Sequence, residues 1–335
     1  LYGIDKADAR PLTSLFHPRA FQQLIQVNAV ANRHVSNPIR CLGKERVTRQ
    51  RDFVRKGRRS LWHGHGGRRR PRIMKFNLGV AFLTLARTEG IMRPFRDAAL
   101  VAIQHEVRAH YGWAYTADVN SAEGLRKTCN EHPHAEALGW SADGRRQTLR
   151  ALVQQLEEAQ NVVLVGAAVV EEDLNRNWPE KTVFIAADGA VGACFDKVDV
   201  LCVVTDLDGG DHLHEAVRQG IPLIVHAHGD NEEQWRVCTA AWANQGGASL
   251  VLTHQTDETY PDMHNVGGFT DGDRAACLLT ALGVPLEHVQ FVGYAVDHVG
   301  PWSGATDPVR KLDKLQWMER ILDELNPGWR TQRES

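Results

Sequence analysis

From residue 161 onward, short apolar runs alternate with longer amphipathic ones. The runs at 161–165, 183–187, 200–204, 222–225, 249–253 and 288–292 have the length and β-branched content of buried strands. Between them, residues 170–174, 189–196, 211–219, 232–243 and 271–282 fit helices. A last helix spans 308–325 and stops at Asn326-Pro327-Gly328. Such alternation predicts an α/β fold: a Rossmann-like, mostly parallel sheet with helices on both faces. A mainly helical region, residues 75–160, precedes it. There, residues 97–111 place Ala98, Val101, Ala102, His105 and Val107 at helical spacing, and Ser121 is expected to cap a helix running through Lys127. Residues 145–159 align Leu149, Leu152, Val153 and Leu156 on one face. Tyr111, Trp113, Tyr115 and Asp118 lie between helices, where they fit either a cover closing over a ligand or, preferred here, an aromatic packing corner.

Charge divides the chain. Residues 1–73 hold 17 Lys+Arg against 4 Asp+Glu, leaving 22 and 37 for the other 262 residues. A basic arm of this kind suits nucleic acid or an acidic membrane surface. Its weak periodicity, and a first methionine at Met74, instead predict a disordered or non-native extension outside the working domain. The expected division is thus 1–73, a helical region 74–160, and a Rossmann-like domain 161–330. The six cysteines form no Cys-x-x-Cys pair and no apolar run is long enough for a bilayer, so reduced thiols and a cytoplasmic location are expected.

Candidate chemistry gathers where the runs end, because open parallel sheets bind ligands outside the carboxyl ends of their strands. Asp206-Leu207-Asp208 follows one strand. In an extended segment both carboxylates share a face, and two close like charges call for a cation such as Mg²⁺. Asp188-Gly189 lies on the same rim, with Gly189 opening a helix whose amides favour anions. His226-Ala-His228-Gly-Asp230-Asn231 ends the next strand. Its His-x-His-x-Asp pattern also fits zinc in a metal-dependent hydrolase using His226, His228 and Asp230, with His254 and His264 as further candidates. Alternatively His228 and Asn231 contact phosphates, Asp230 lies near a metal, and His226 is a satisfied core residue. In Asn265-Val-Gly-Gly-Phe-Thr-Asp-Gly-Asp-Arg274, Gly267 and Gly268 permit close backbone approach, Thr270 caps a helix, and Arg274 suits a phosphate. Lys311 and Lys314 share a helical face. A dehydrogenase is excluded, since the first strand lacks Gly-x-Gly-x-x-Gly.

These motifs together, in this order, resemble the archaeal 6-hydroxymethyl-7,8-dihydropterin pyrophosphokinases, with more distant similarity to thiamin pyrophosphokinases. The matching residues are Ala187-Asp188-Gly189-Ala190, Thr205 through Gly209, His226 through Asn231 and Gly267 through Ala275, with Lys311-Leu312 and Lys314-Leu315 also fitting. The likeness spans about residues 92 to 325. It implies transfer of a diphosphoryl group from ATP to the pterin's hydroxymethyl oxygen, with Mg²⁺ and release of AMP, in folate or tetrahydromethanopterin-type cofactor synthesis. It implies catalytic roles for Asp188, Asp206, Asp208 and Asp230, with Asp206 and Asp208 on the metal. Gly189, His228, Asn231, Thr253, Gln255, Gly268, Thr270, Asp271, Asp273 and Arg274 would bind ATP or substrate. The partners implied are ATP and a hydroxymethylpterin, with neither nucleic acid nor membrane; self-association is left open. Three departures stand out. Gly166-Ala167-Ala168 replaces a Gly-Pro-Ser-type loop, Thr253-His254-Gln255 a Thr-Thr-Gln, and Gly293-Tyr294-Ala295 a Gly-Met-Asp, where Asp297 is a candidate substitute acid.

Overall fold

The structure, a computed structural model, describes residues 97–304 and 306–332. The expectations for residues 1–73 and 75–96 lie outside that range. Six parallel strands form one sheet in the order β5-β4-β3-β2-β1-β6. They are β1 (Asn161–Val165), β2 (Thr182–Ala187), β3 (Val200–Thr205), β4 (Leu223–Ala227), β5 (Leu250–His254) and β6 (Val289–Val292).

Among the described residues, three helices precede the sheet: α1 (Ala98–Tyr111), α2 (Tyr115–Asn130) and α3 (Ala142–Glu158). Single-turn α4 (Glu171–Leu174) and α5 (Val191–Cys194), then α6 (Asp211–Arg218), α7 (Glu232–Ala243), α8 (Asp271–Ala281) and α9 (Pro308–Leu325), connect or follow the strands. Both faces of the sheet are covered, so its strands are buried nearly throughout. Alternate residues go to opposite faces. Leu164, Ile185, Val204, Ile224 and Val251 pack with Leu100, Ile103, Leu149, Leu152, Leu279 and Ile321 of α1, α3, α8 and α9. Val163, Phe184, Val203, Val225 and Leu252 pack with Leu125, Val191, Leu213, Trp235 and Trp242 of α2, α5, α6 and α7. Truncating one such core side chain to Ala costs about 2–5 kcal/mol. The five cysteines among the described residues are free and buried. No helix there is long and apolar enough to cross a membrane.

Several local expectations are corrected. The buried face of α1 is Leu100, Ile103, Gln104, Val107 and Arg108; Ala98, Ala102 and His105 are exposed. Gln104 and Arg108 are polar yet fully partnered inside, and this rotates the real face away from the hydrophobicity pattern. Ser121 caps nothing: α2 already begins at Tyr115, and the Ser121 hydroxyl instead accepts from Trp235 Nε1 (3.1 Å) and donates to Asn231 Oδ1 (3.3 Å). Of the aromatic corner, Trp113 alone lies between helices; it stacks on Tyr111 with ring centroids 4.6 Å apart. The helix expected over 189–196 is a 3₁₀ turn, Asp188–Ala190, followed by the single turn of α5.

Candidate active site

Strands β4, β3 and β2 are neighbours, so the segments leaving their carboxyl ends share one rim. Thr205, the last residue of β3, organises it. Its hydroxyl donates to Asp188 Oδ1 (2.6 Å) and accepts the Leu207 N–H (2.8 Å). The chain does not stay extended through Asp206-Leu207-Asp208 as the sequence suggests. Leu207 is buried with φ +80°, in the left-handed region. That turn nonetheless brings both carboxylates together. Gly209 follows because a Cβ there would sit 2.8 Å from both Asp188 carboxylate oxygens. Asp188 itself has φ +48°. Gly189 lies within the 3₁₀ turn, so no full helix opens there; its own missing Cβ leaves room for the Trp302 carbonyl.

Asp188, Asp206, Asp208 and Asp271 converge, with one carboxylate oxygen from each lying within 4.8 Å of the others. Asp271 comes from the first turn of α8, where Arg274 Nη1 holds it at 2.8 Å. Burial raises the Asp188 carboxyl well above its ordinary range, and the charges of Asp208 and Asp271 add to this. Asp271 is raised by burial and by Asp206, and Asp208 likewise. Asp206 is the exception. Burial opposes its ionisation, but a hydrogen bond from His228 and that residue's charge, with Arg274 and Lys314, hold it below the ordinary carboxylate range. His228 Nε2 lies 3.3 Å from Asp206 and Nδ1 2.5 Å from Asp230. Against the cost of its burial, these two acids push the imidazole up to about 9, so it is an imidazolium at neutral pH.

The four acids fit a hard divalent cation. All donors are oxygen, three repel one another toward protonation, and Asp206 Oδ1 is buried without a hydrogen-bond partner among the described residues. No histidine enters this group. His226 Nδ1 faces Thr253 Oγ1 (3.0 Å) and Nε2 faces Gln255 Oε1 (3.3 Å), and burial lowers its pKa well below the usual value. Asp297 is exposed and pairs with its neighbour His298, outside the acid group.

Other motif residues sit one layer back. Asn231 donates to the Asp206 carbonyl (2.9 Å) and the His226 carbonyl (2.7 Å) and accepts the His228 N–H, latching two strand ends together. Asp273 accepts the N–H groups of Phe269 and Thr270 and the Thr270 hydroxyl. Arg274 is 1% exposed and faces Asp271 and the Phe269 carbonyl. Gly268 has φ +84°, and a Cβ would strike the Arg274 backbone at 2.7 Å. Lys311 and Lys314 lie on α9, close enough for their charges to act on Asp208.

Sequence reasoning placed Asp118 only in an aromatic corner and missed Arg108 and Gln104, so the support behind this rim went unread. Asp118 of α2, 3% exposed, accepts the Gly229 N–H (2.8 Å), Gln255 Nε2 (2.9 Å) and Arg108 Nη1 (3.2 Å). Arg108 also donates to the Gln255 carbonyl (2.8 Å). Gln104 clamps the glycine loop through Asn265 (3.1 Å) and the Gly268 carbonyl (3.2 Å). Their one signal in sequence is polar residues interrupting the buried faces of α1 and α2.

Fold and site define a Rossmann-like α/β protein with a four-carboxylate centre at its strand ends. No protein-family model matches the chain. It is 38% identical over 160 residues to a 6-hydroxymethyl-7,8-dihydropterin pyrophosphokinase of Methanothermobacter thermautotrophicus, covering 45% of this chain and 66% of that protein. The protein of that name in Pyrococcus furiosus is 34% identical over 179 residues, covering 51% and 74%. The one in Methanocaldococcus jannaschii is 31% identical over 134 residues, covering 38% and 55%. The chain belongs to the family of archaeal 6-hydroxymethyl-7,8-dihydropterin pyrophosphokinases. The matches span between about half and three quarters of those relatives' lengths.

Proposed function

We propose that the chain is a Mg²⁺-dependent ATP:6-hydroxymethyl-7,8-dihydropterin diphosphotransferase serving folate or tetrahydromethanopterin-type cofactor synthesis. The observation that carries this reading is the meeting of four carboxylates around the unpartnered Asp206 Oδ1, at a rim flanked by Lys311 and Lys314. The pterin's hydroxymethyl oxygen forms a bond to the β-phosphorus of ATP. The bond from that phosphorus to the bridging oxygen breaks, its electron pair stays on the α-phosphate of the departing AMP, and the hydroxyl proton passes to solvent. Such transfers depend on positioning and charge neutralisation more than on covalent help.

Asp206 and Asp208 would hold the metal, joined by Asp188 and Asp271. When bound, Mg²⁺ neutralises phosphate charge and orients the transferred group. His228 keeps Asp206 ionised and aimed, and Asp230 keeps His228 charged. Arg274 fixes Asp271, and Asp273 with Thr270 and Gly268 fixes the loop before α8. Lys311 and Lys314 meet the phosphates. Asn231, Thr253 and Gln255 hold the strand ends in register beneath them, and Gly189 and Gly209 keep the backbone close.

The test is AMP release from ATP with Mg²⁺, with and without the pterin. Wild-type protein is expected to form AMP only when the pterin is present. Asp206→Asn with Asp208→Asn should lose roughly 10³-fold, corresponding to several kcal/mol of lost charge stabilisation. Folded protein that forms no AMP, or a double variant as active as wild type, sinks the proposal.

A further inference from the structure

Strands β1 to β5 run outward from β1 in one direction, and β6 is added on its other side. The strand order therefore reverses between β1 and β6, where open α/β sheets have their crevice. A partly open cleft lies there, between Gly166-Ala167-Ala168 after β1 and Gly293-Tyr294-Ala295 after β6. Its floor is Leu315 and Met318 of α9, and one wall carries Asp188, Asp208 and Asp271.

The β1 loop is a poor phosphate cradle, because three of its amides are spent on backbone. Gly166 donates to the Val292 carbonyl (2.7 Å), Ala168 to Gly293 (2.9 Å) and Val169 to Gly166 (3.2 Å). The Trp302 N–H in turn occupies the Ala167 carbonyl (3.0 Å). What remains is a slot with small and apolar side chains on its β1 and α9 sides and with Thr270, His298, Ser303 and Lys311 also lining it, which suits an uncharged planar ring with polar edges.

The two ring systems of the proposed reaction differ in tether. A hydroxymethylpterin carries its reacting oxygen one carbon from the ring, so the ring must lie against the metal-bound phosphate. Adenine is separated from the β-phosphorus by ribose and the α-phosphate, so its ring lies farther off. The cleft shares its wall with three of the four acids, and only the short-tethered ring needs that seat. Resting on the diphosphotransfer reading, we infer that the cleft at the ends of β1 and β6 is the pterin seat, walled by Ala167 and Ala168, and that the nucleotide base binds outside it.

Ala168→Leu fills the slot from a partly exposed position on its wall. Binding of 6-hydroxymethylpterin, followed by its fluorescence, and of ADP with Mg²⁺, followed by calorimetry, would be compared in wild type and variant. The expected result is pterin affinity reduced about tenfold or more, with ADP affinity within about twofold. ADP binding itself reports that the variant is folded. Ala167→Leu, on the same wall, must act in the same way, and serves alone if Ala168→Leu does not fold. Weakened ADP with unchanged pterin, equal loss of both, or no change in either overturns the assignment. Wild-type protein that neither binds the pterin nor forms AMP defeats the diphosphotransfer reading. Wild-type turnover combined with variants indifferent in pterin binding defeats the seat alone.

Discussion

Two halves of the same rim handle buried charge in opposite ways. At the ends of β2 and β3, Asp188, Asp206 and Asp208 face one another and Asp271 of α8, and an oxygen of Asp206 has no hydrogen-bond partner among the described residues. At the ends of β4 and β5, Asp118, Arg108, Gln255, His226, Thr253 and Asn231 give their polar atoms partners within the protein. An unpaired buried charge is costly, and a satisfied network rigidifies its surroundings. The first half is thus shaped for something that arrives, and the second is complete as it stands. Polar residues of one rim therefore divide into acids that repel one another and a network that holds the strand ends in place.

That division is broken or sharpened most strongly at the acids. Mg²⁺ should raise the thermal midpoint of wild-type protein. At a hundred times its dissociation constant the gain is about 2.7 kcal/mol, or roughly 5–10 °C for a domain of this size. Asp206→Asn with Asp208→Asn should abolish the shift along with turnover, leaving the midpoint in chelator unchanged or higher because like charges have been removed. A shift that survives in the double variant would place the cation elsewhere.

Asp118→Asn comes next. It keeps the shape but weakens the hold on the Gly229 amide and on Arg108, so His228 should wander from Asp206. Turnover is expected to fall about tenfold, and stability by about 1–3 kcal/mol. The Mg²⁺-dependent thermal shift should persist, and a scaffold loss alone would not separate the two readouts in this way. Loss of that shift in Asp118→Asn would erase the distinction between the halves.

How much of this was open to sequence reading follows the same line. The strands were legible because short β-branched runs end in clusters of Gly, Asp and Asn, which separates them from buried helix, and α9 because Asp307, Pro308 and Asn326-Pro327-Gly328 mark its ends. The Asp206/Asp208 pair was visible as a pattern, although its geometry comes from a left-handed Leu207 and not from an extended strand. Asp271 joins from a distant helix, which local spacing cannot announce. Arg108 and Gln104 misled, because a polar side chain on a buried face is recognisable only once its partner is known. His226 and His228 stay neighbours in space, their rings stacked with centroids 6.0 Å apart, yet they differ in charge: burial keeps one a neutral strut, and two acids make the other an imidazolium.

A third test lies outside the rim. Asp262 is buried and paired with Arg126 (2.6 Å), Asn130 (3.0 Å) and Arg145. Burial opposes its ionisation, but these hydrogen bonds and the charges of Arg145 and Arg126 lower its pKa. Its folded pKa lies below the unfolded one, near 3.9. Its contribution is therefore complete above that value and is lost as the pH falls through the folded pKa. Urea unfolding from pH 7 to about 2 should show an acid loss in wild type that sets in as the pH falls toward about 4. The slope should be shallower in Asp262→Asn, whose neutral-pH stability is already reduced by about 3–5 kcal/mol for stranding Arg145. Equal slopes would mean that Asp262 ionises alike in both states.

The smallest effect belongs to a pair that looks strong on paper. Arg320 of α9 grips Glu106 of α1 through two contacts, 2.6 and 3.0 Å, and so ties a helix beside the acids to one behind the satisfied network. Both side chains are about half exposed, where solvent screens the attraction and side-chain entropy opposes it. Arg320→Ala is expected to cost at most about 1 kcal/mol, to lose that in high salt, and to leave turnover and the Mg²⁺ shift at wild-type values. The helices are already joined through the apolar core they share with the sheet, which is why the exposed clasp carries so little. A loss of turnover in Arg320→Ala would show that α9 is held over the acids by its surface pair, and Lys311 and Lys314 would then depend on that clasp for their place.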